Sequence, residues 1–212
     1  MYAEKMGLIS FLIDGIFPRL CCHCGKIGSF LCPNCYNQLE FSDDLVTIND
    51  KFSIQSCTAF GDVSSSIVHK LKYKSVKELA SICAEIIYMS CSIAECDLIT
   101  SVPLHPSRQR ERGYNQAEEI AVKLAQLLGK PYIQLFERTK RTVNFARVTD
   151  KEERAKLSEG LFKLKNIDLK ILENKSVLVI DDVWTTGSTL TACISQFPDS
   201  TSKTAITFTH GL

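Results

Sequence analysis

Between Val177 and Leu190 the chain reads VLVIDDVWTTGSTL. Four consecutive apolar residues suit a strand buried on both faces, as in a parallel sheet covered by helices. Thr-Thr-Gly-Ser-Thr is a turn leading into a helix that starts near Leu190. The backbone N–H groups and hydroxyls of Thr185 to Thr189 are suited to holding a phosphate, and Gly187 permits its close approach. Neither GxxxxGK[ST] nor GxGxxG is present, so nucleoside-triphosphate and dinucleotide loops lose their main support. Asp181 and Asp182 precede this anion-holding run. At about 6 Å and an effective dielectric near 20, each carboxylate repels a phosphate charge by roughly 3 kcal/mol. A ligand with two chemically different ends resolves the conflict: a ribose 5-phosphate puts its phosphate in the turn and its hydroxyls on the acids.

Other segments fit the same architecture. SCTAF, DLITSV, YIQLF and AITF read as strands. Ser75 to Cys91 reads as a helix with a capping box, Ser75 and Glu78, and Asn115 to Leu128 as another. Strands alternating with helices imply an α/β fold, a parallel sheet flanked by helices, with ligands beyond the carboxyl ends of the strands. VLVI ends at Asp181, which puts the two acids at such a strand end.

The 212 residues suffice for one main domain with a small appendage. The boundary is expected near FSDDLVTINDK, giving a unit of residues 1–45 and a larger one of 46–212. A short amphipathic helix should precede Pro18. The 25 Lys and Arg nearly cancel the 24 Asp and Glu, so no global field draws in nucleic acid or acidic membranes and any basic site must be local. GLISFLIDGIF is too short to span a bilayer and carries Asp14, so no membrane insertion is expected. The N-terminus does not read as a secretory signal, and a cytoplasmic location is expected.

Four of the ten cysteines form two CxxC pairs, Cys21 with Cys24 and Cys32 with Cys35, seven residues apart. Facing knuckles of this kind complete a tetrahedron around structural Zn2+, although iron can occupy the same four sulfurs. With every position taken by the chain, the metal has no open site for substrate. Cys22 and His23 are expected to be non-ligands, and Cys57, Cys83, Cys91, Cys96 and Cys193 to be packing residues.

The segment from Val177 resembles the phosphoribosyl pyrophosphate (PRPP) motif of type I phosphoribosyltransferases. SVPLHPSRQRERGYNQAEEIA, IVHKLKYKSVKELA and Gly160 to Phe162 resemble the ComF (competence protein F) family, in which a double-CxxC zinc ribbon precedes a phosphoribosyltransferase domain. The resemblance implies a type I phosphoribosyltransferase-like sheet and a sugar-phosphate site made by Asp181, Asp182, Val183, Thr185, Thr186, Gly187, Ser188 and Thr189. It places pyrophosphate at Arg112, Gly113, Tyr114 and Asn115, with Arg108 and Arg110 nearby, and implies Mg2+ bound with PRPP. Asp181 and Asp182 are then the catalytic pair, orienting the sugar and stabilising positive charge at C1. The basic run Arg138 to Arg147 falls where such enzymes carry a loop that closes over the site. Phe145 and Lys156 stand about where family members tend to have Gln and Asn, which allows binding without turnover.

Two readings therefore stay open. In one, the protein handles single-stranded DNA during natural transformation, with a membrane channel or helicase of the DNA-uptake machinery as partner; Tyr114, Phe145 and Trp184 are its candidate stacking residues. In the other, it is a Mg2+-dependent phosphoribosyltransferase acting on an unidentified small-molecule acceptor.

Overall fold

The computed structural model describes residues 18–42, 45–48, 52–140, 160–166 and 168–211. The helix expected before Pro18 lies outside them, as do Phe145 and Lys156. A short helix, α1 (Pro33–Tyr36), belongs to the Cys-rich segment. The main sheet contains β1 (Leu45–Ile48), β2 (Phe52–Thr58), β3 (Leu98–Ser101), β6 (Ser176–Trp184) and β7 (Ser202–His210), in the order β1-β2-β7-β6-β3. Within this sheet only the β1–β2 pair is antiparallel; β2–β7, β7–β6 and β6–β3 are parallel. The remaining elements are α2 (Asp62–Tyr73), α3 (Glu78–Ser90), α4 (Pro106–Arg112), α5 (Gln116–Leu128) and α6 (Ser188–Ile194), with β4 (Phe136–Arg138) and β5 (Phe162–Leu164) forming a separate antiparallel pair. The architecture is α/β with a mostly parallel central sheet flanked by helices.

Side-chain alternation along β6 divides the core. Leu178 and Ile180 join Ile67 and Leu71 of α2, Leu79, Cys83 and Ile87 of α3 and Ile120 and Leu124 of α5 on one face. Val177 and Val179 join Leu190 and Cys193 of α6 with Phe136 and Phe162 on the other. Burying each large side chain removes apolar surface worth about 1.5–3 kcal/mol from water.

The differences from the expected elements have local causes. Helix α2 is not apparent in the sequence because Ser64, Ser65 and Ser66 interrupt its apolar periodicity, and serine competes with helical backbone bonding. Ser64 works at the helix start instead: Gly61 N–H donates to its Oγ at 2.8 Å, and the hydroxyl donates to Ala59 O at 3.0 Å. Ser75 does not cap α3. It adopts the left-handed region, φ 54°, in the turn between two helices, and α3 begins at Glu78 without a side-chain cap. YIQLF is not one strand, since Tyr132 makes an isolated bridge to Ile99 and β4 begins only at Phe136.

Strand β6 does not stop at Asp181. It continues through Trp184 because β7 runs beside it, pairing Asp181 with Thr207, Val183 with Thr209 and Trp184 with His210.

Candidate functional site

Since β6 remains extended through both acids, their side chains fall on opposite faces of the sheet. Asp182 points toward the helices α2 and α3, where Lys72 Nζ lies 2.7 Å from its Oδ2. Asp181 points toward the α6 side, lining a small cavity with Val183, Trp184, Thr185, Gly187, Ser188, Thr189 and Leu190. Its Oδ1 accepts from the Asp182 N–H at 2.9 Å. Burial, and then the neighbouring charge of Asp182, push the Asp181 carboxyl well above the usual carboxylate range, with Lys72 acting in the opposite direction.

Beyond the strand, Gly187 adopts φ 73° and begins α6, accepting at its carbonyl from Thr191 N–H at 2.8 Å. A side chain at Gly187 has no room: its Cβ would lie 2.9 Å from Trp184 Nε1. The hydroxyls of Thr186 and Ser188 are 3.0 Å apart, and Thr185 and Thr186 are exposed. Three buried polar atoms nearby, Trp184 Nε1, Thr209 Oγ1 and His210 Nδ1, lack a hydrogen-bond partner among the described residues.

The fit of a ribose phosphate therefore divides into two parts. The donor set suits it: turn amides, hydroxyls and an unused indole N–H surround a cavity edged by one carboxylate. The volume does not. At about 20 Å³ the cavity has room for a water and not for a phosphate. A ribose phosphate would need Trp184 moved off Gly187 and Asp182 released from Lys72.

The basic residues divide into two groups. Burial, then the charge of Arg108, lowers the Arg138 pKa, while Asp181 opposes this, so Arg138 lies within electrostatic reach of both. Arg112 goes elsewhere. Its guanidinium sits 5.3 Å from the Tyr73 ring centroid and donates to Gln116 Oε1 at 2.5 Å. Gly113 takes the left-handed conformation that ends α4, φ 84°. Tyr114 is buried, with its hydroxyl donating to Leu71 O, which removes it as a stacking platform. Asn115 Nδ2 donates to Val102 O at 2.9 Å, tying the start of α5 to the end of β3.

Cys21, Cys24, Cys32 and Cys35 form a separate centre, their sulfurs all within 4.8 Å of one another. A tetrahedral Zn2+ with bonds near 2.3 Å separates its sulfurs by about 3.8 Å, so small adjustments complete the site. Burial opposes ionisation of Cys21, but the backbone amides of Cys32, Cys24 and His23 hold its thiol down to about 6. Burial and hydrogen bonds from the other three thiols push Cys35 up to about 12. His23 Nδ1 bonds instead with Ser66 Oγ at 3.1 Å, and Cys22 is buried against the α2 side.

Three contributors escape sequence reasoning. Nothing local marks Lys72 as the partner of Asp182, 110 positions later (182 − 72). Thr209 and His210 reach the site only because β7 runs parallel to β6. The four apolar residues and paired acids at Val177–Asp182 carry the one usable signal, placing a site where those strands end.

No protein-family model matches the chain. A Haemophilus influenzae protein named competence protein F is 28% identical over 203 residues, covering 90% of this chain and 83% of the relative. A Salmonella typhi protein named DNA utilization protein YhgH is 27% identical over 184 residues, covering 81% of this chain and 74% of the relative. Among solved structures, an adenine phosphoribosyltransferase from Thermoanaerobacter pseudethanolicus matches with a TM-score of 0.39 at 15% identity, over 74% of this chain and 78% of that one. The chain is a homologue of the proteins named competence protein F and YhgH.

Proposed function

We propose that this protein is a competence-related, phosphoribosyltransferase-like protein that binds PRPP or a related ribose phosphate beyond β6 and handles single-stranded DNA during uptake. One observation carries the sugar-phosphate part. Asp181 and the hydroxylated turn Thr185–Thr189 line one cavity at the carboxyl end of a central parallel strand, where α/β sheets bind ligands. The turn amides would hold the phosphate, and Asp181 would accept from ribose hydroxyls; Asp182 joins it once released from Lys72. Bound Mg2+ supplies charge neutralisation for the pyrophosphate of PRPP. The names of the relatives support the DNA-uptake part. Residues 1–45 then serve as a metal-stabilised ribbon, available to dock a channel or helicase, and 46–212 as the sugar-phosphate unit. Two CxxC pairs whose four sulfurs cluster for a metal suit a reducing cytoplasmic setting.

Calorimetric titration with PRPP, with and without Mg2+, tests the site. Asp181→Asn should abolish binding while leaving the metal content unchanged. Equal affinity in the variant and the parent removes the assignment. Arg138, within electrostatic reach of Asp181 and of Arg108, supports a second reading, a Mg2+-dependent phosphoribosyltransferase acting on a small-molecule acceptor, because guanidinium groups suit a departing pyrophosphate. Pyrophosphate release from PRPP on addition of an acceptor supports that reading, whereas PRPP binding without release across an acceptor panel opposes it.

A further inference from the structure

A groove of about 450 Å³, far larger than the cavity at the turn, lies where the ribbon meets α2. Its size is that of a small-molecule site. Buried Cys22 and Val68 contribute to its lining, as do the aromatic rings of Phe60, His69 and Tyr73, and two lysines, Lys70 and Lys72. Phe60 is 45% exposed and Tyr73 65%, which leaves two large apolar rings open to solvent at one groove. Scattered surface aromatics need no explanation, but grouped ones mark contact surfaces. The chain from His69 to Lys74 reads HKLKYK, with three lysines and no acid. Arg112, expected at a pyrophosphate, instead stands over Tyr73 and adds a fourth positive charge to this region. The hydrogen bond between His23 and Ser66 fixes the ribbon against α2 at the groove.

We propose that this groove is a base-stacking site for single-stranded DNA, with Phe60, His69 and Tyr73 as platforms and Lys70, Lys74 and Arg112 meeting the phosphates. The proposal rests on the reading that the protein handles single strands and gives that activity a place. Aromatic rings interleaved with cations are what sequence-tolerant strand binding requires: every base offers a face to stack on, while the backbone supplies a charge at each nucleotide. A purely apolar partner would leave the lysines unused. An acidic protein surface would use the lysines and leave the rings half-covered. The groove also includes Lys72, the partner of Asp182, so a strand seated there lies on the Asp182 side of β6.

The test uses the full-length, metal-loaded protein and a fluorescently labelled oligothymidylate, read by anisotropy over a salt series. Phe60→Ala and Tyr73→Ala should each weaken binding by about 5- to 150-fold, equivalent to ~1–3 kcal/mol per stacked base. Phe60→Tyr and Tyr73→Phe should bind as the parent does. Lys70→Ala should flatten the salt dependence by about 0.7 in the log–log slope, the increment for one phosphate no longer neutralised. Unchanged metal content and PRPP affinity in each variant establish that the fold is intact. Strand binding by the parent with no loss in either alanine variant overturns the groove assignment and leaves the strand-handling reading standing. No strand binding by the parent overturns both. A concentration-dependent dimer, lost in Phe60→Ala and unaffected by the oligonucleotide, makes the occupant a second copy of the chain and also overturns the proposal.

Discussion

Lys72→Met removes the charge that holds Asp182 and keeps most of the side chain that packs beside it. At 2.7 Å and an effective dielectric of about 20, the gross attraction is ~6 kcal/mol. Most of this is offset by the cost of withdrawing both groups from water. Breaking a fully buried pair costs about 3–5 kcal/mol. Here the side chains remain 23% and 11% exposed, so the penalty should fall to about 2 kcal/mol after allowance for solvent screening. Most of it arises because Asp182 is left charged and partnerless beside Asp181 and close to Cys83, whose own thiol is pushed up by burial and by that same carboxylate. Adding Asp182→Asn to Lys72→Met should therefore recover at least half of the loss. Urea unfolding of the parent, both single variants and the double variant at neutral pH measures the coupling directly. A coupling below about 0.5 kcal/mol would refute the reasoning, because independent groups show no more than this. Asp182 would then be unpaired in solution and already free to meet a sugar.

Further outcomes follow from the other features of the site. The Asp181 carboxyl is held above its unfolded value by burial and by Asp182, so the stability linked to its protonation is complete below the unfolded pKa and is lost as pH rises through the folded one. Asp181→Asn should accordingly be more stable than the parent at pH 7 to 8, with the difference shrinking toward pH 4, as measured by thermal unfolding across that range. Gly187→Ala introduces left-handed strain of about 1–2 kcal/mol and drives a Cβ against Trp184 Nε1, so unfolding should occur at lower denaturant with a shift in indole emission. Cys24→Ser should reduce the zinc content, expected at one per chain, and lower the melting temperature, with PRPP affinity little affected. Metal retained at full stoichiometry in that variant would contradict the four-cysteine assignment.

The fold was largely legible because its central strand announces itself. Val177 to Ile180 is apolar at every position, which suits a strand of a sheet covered on both faces, and the periodicity of α5 from Ala117 to Leu124 supplies one of the covers. The paired CxxC spacing likewise brought four sulfurs together as expected, since local turns alone determine it. What could not be read depends on distant pairing. The last turn of α2 brings Lys72 to Asp182, and three serines hide α2 itself. The extension of β6 past Asp181 depends on β7 continuing to His210, and that extension turns the two acids to opposite faces. The single-strand reading of the sequence offers Tyr114 as a stacking residue, yet its ring is buried. The exposed rings, Phe60 and Tyr73, flank α2 at its two ends, and only the position of the ribbon turns them into one groove.

The central claim is that the turn beside Asp181 receives a ribose phosphate when Trp184 moves off Gly187. Trp184 is the sole tryptophan of the chain, so its emission reports that movement without a label. Titration of the protein with PRPP in Mg2+ should shift the emission saturably, and Asp181→Asn should eliminate the shift. An emission spectrum unchanged at saturating PRPP, with binding confirmed independently, contradicts the account.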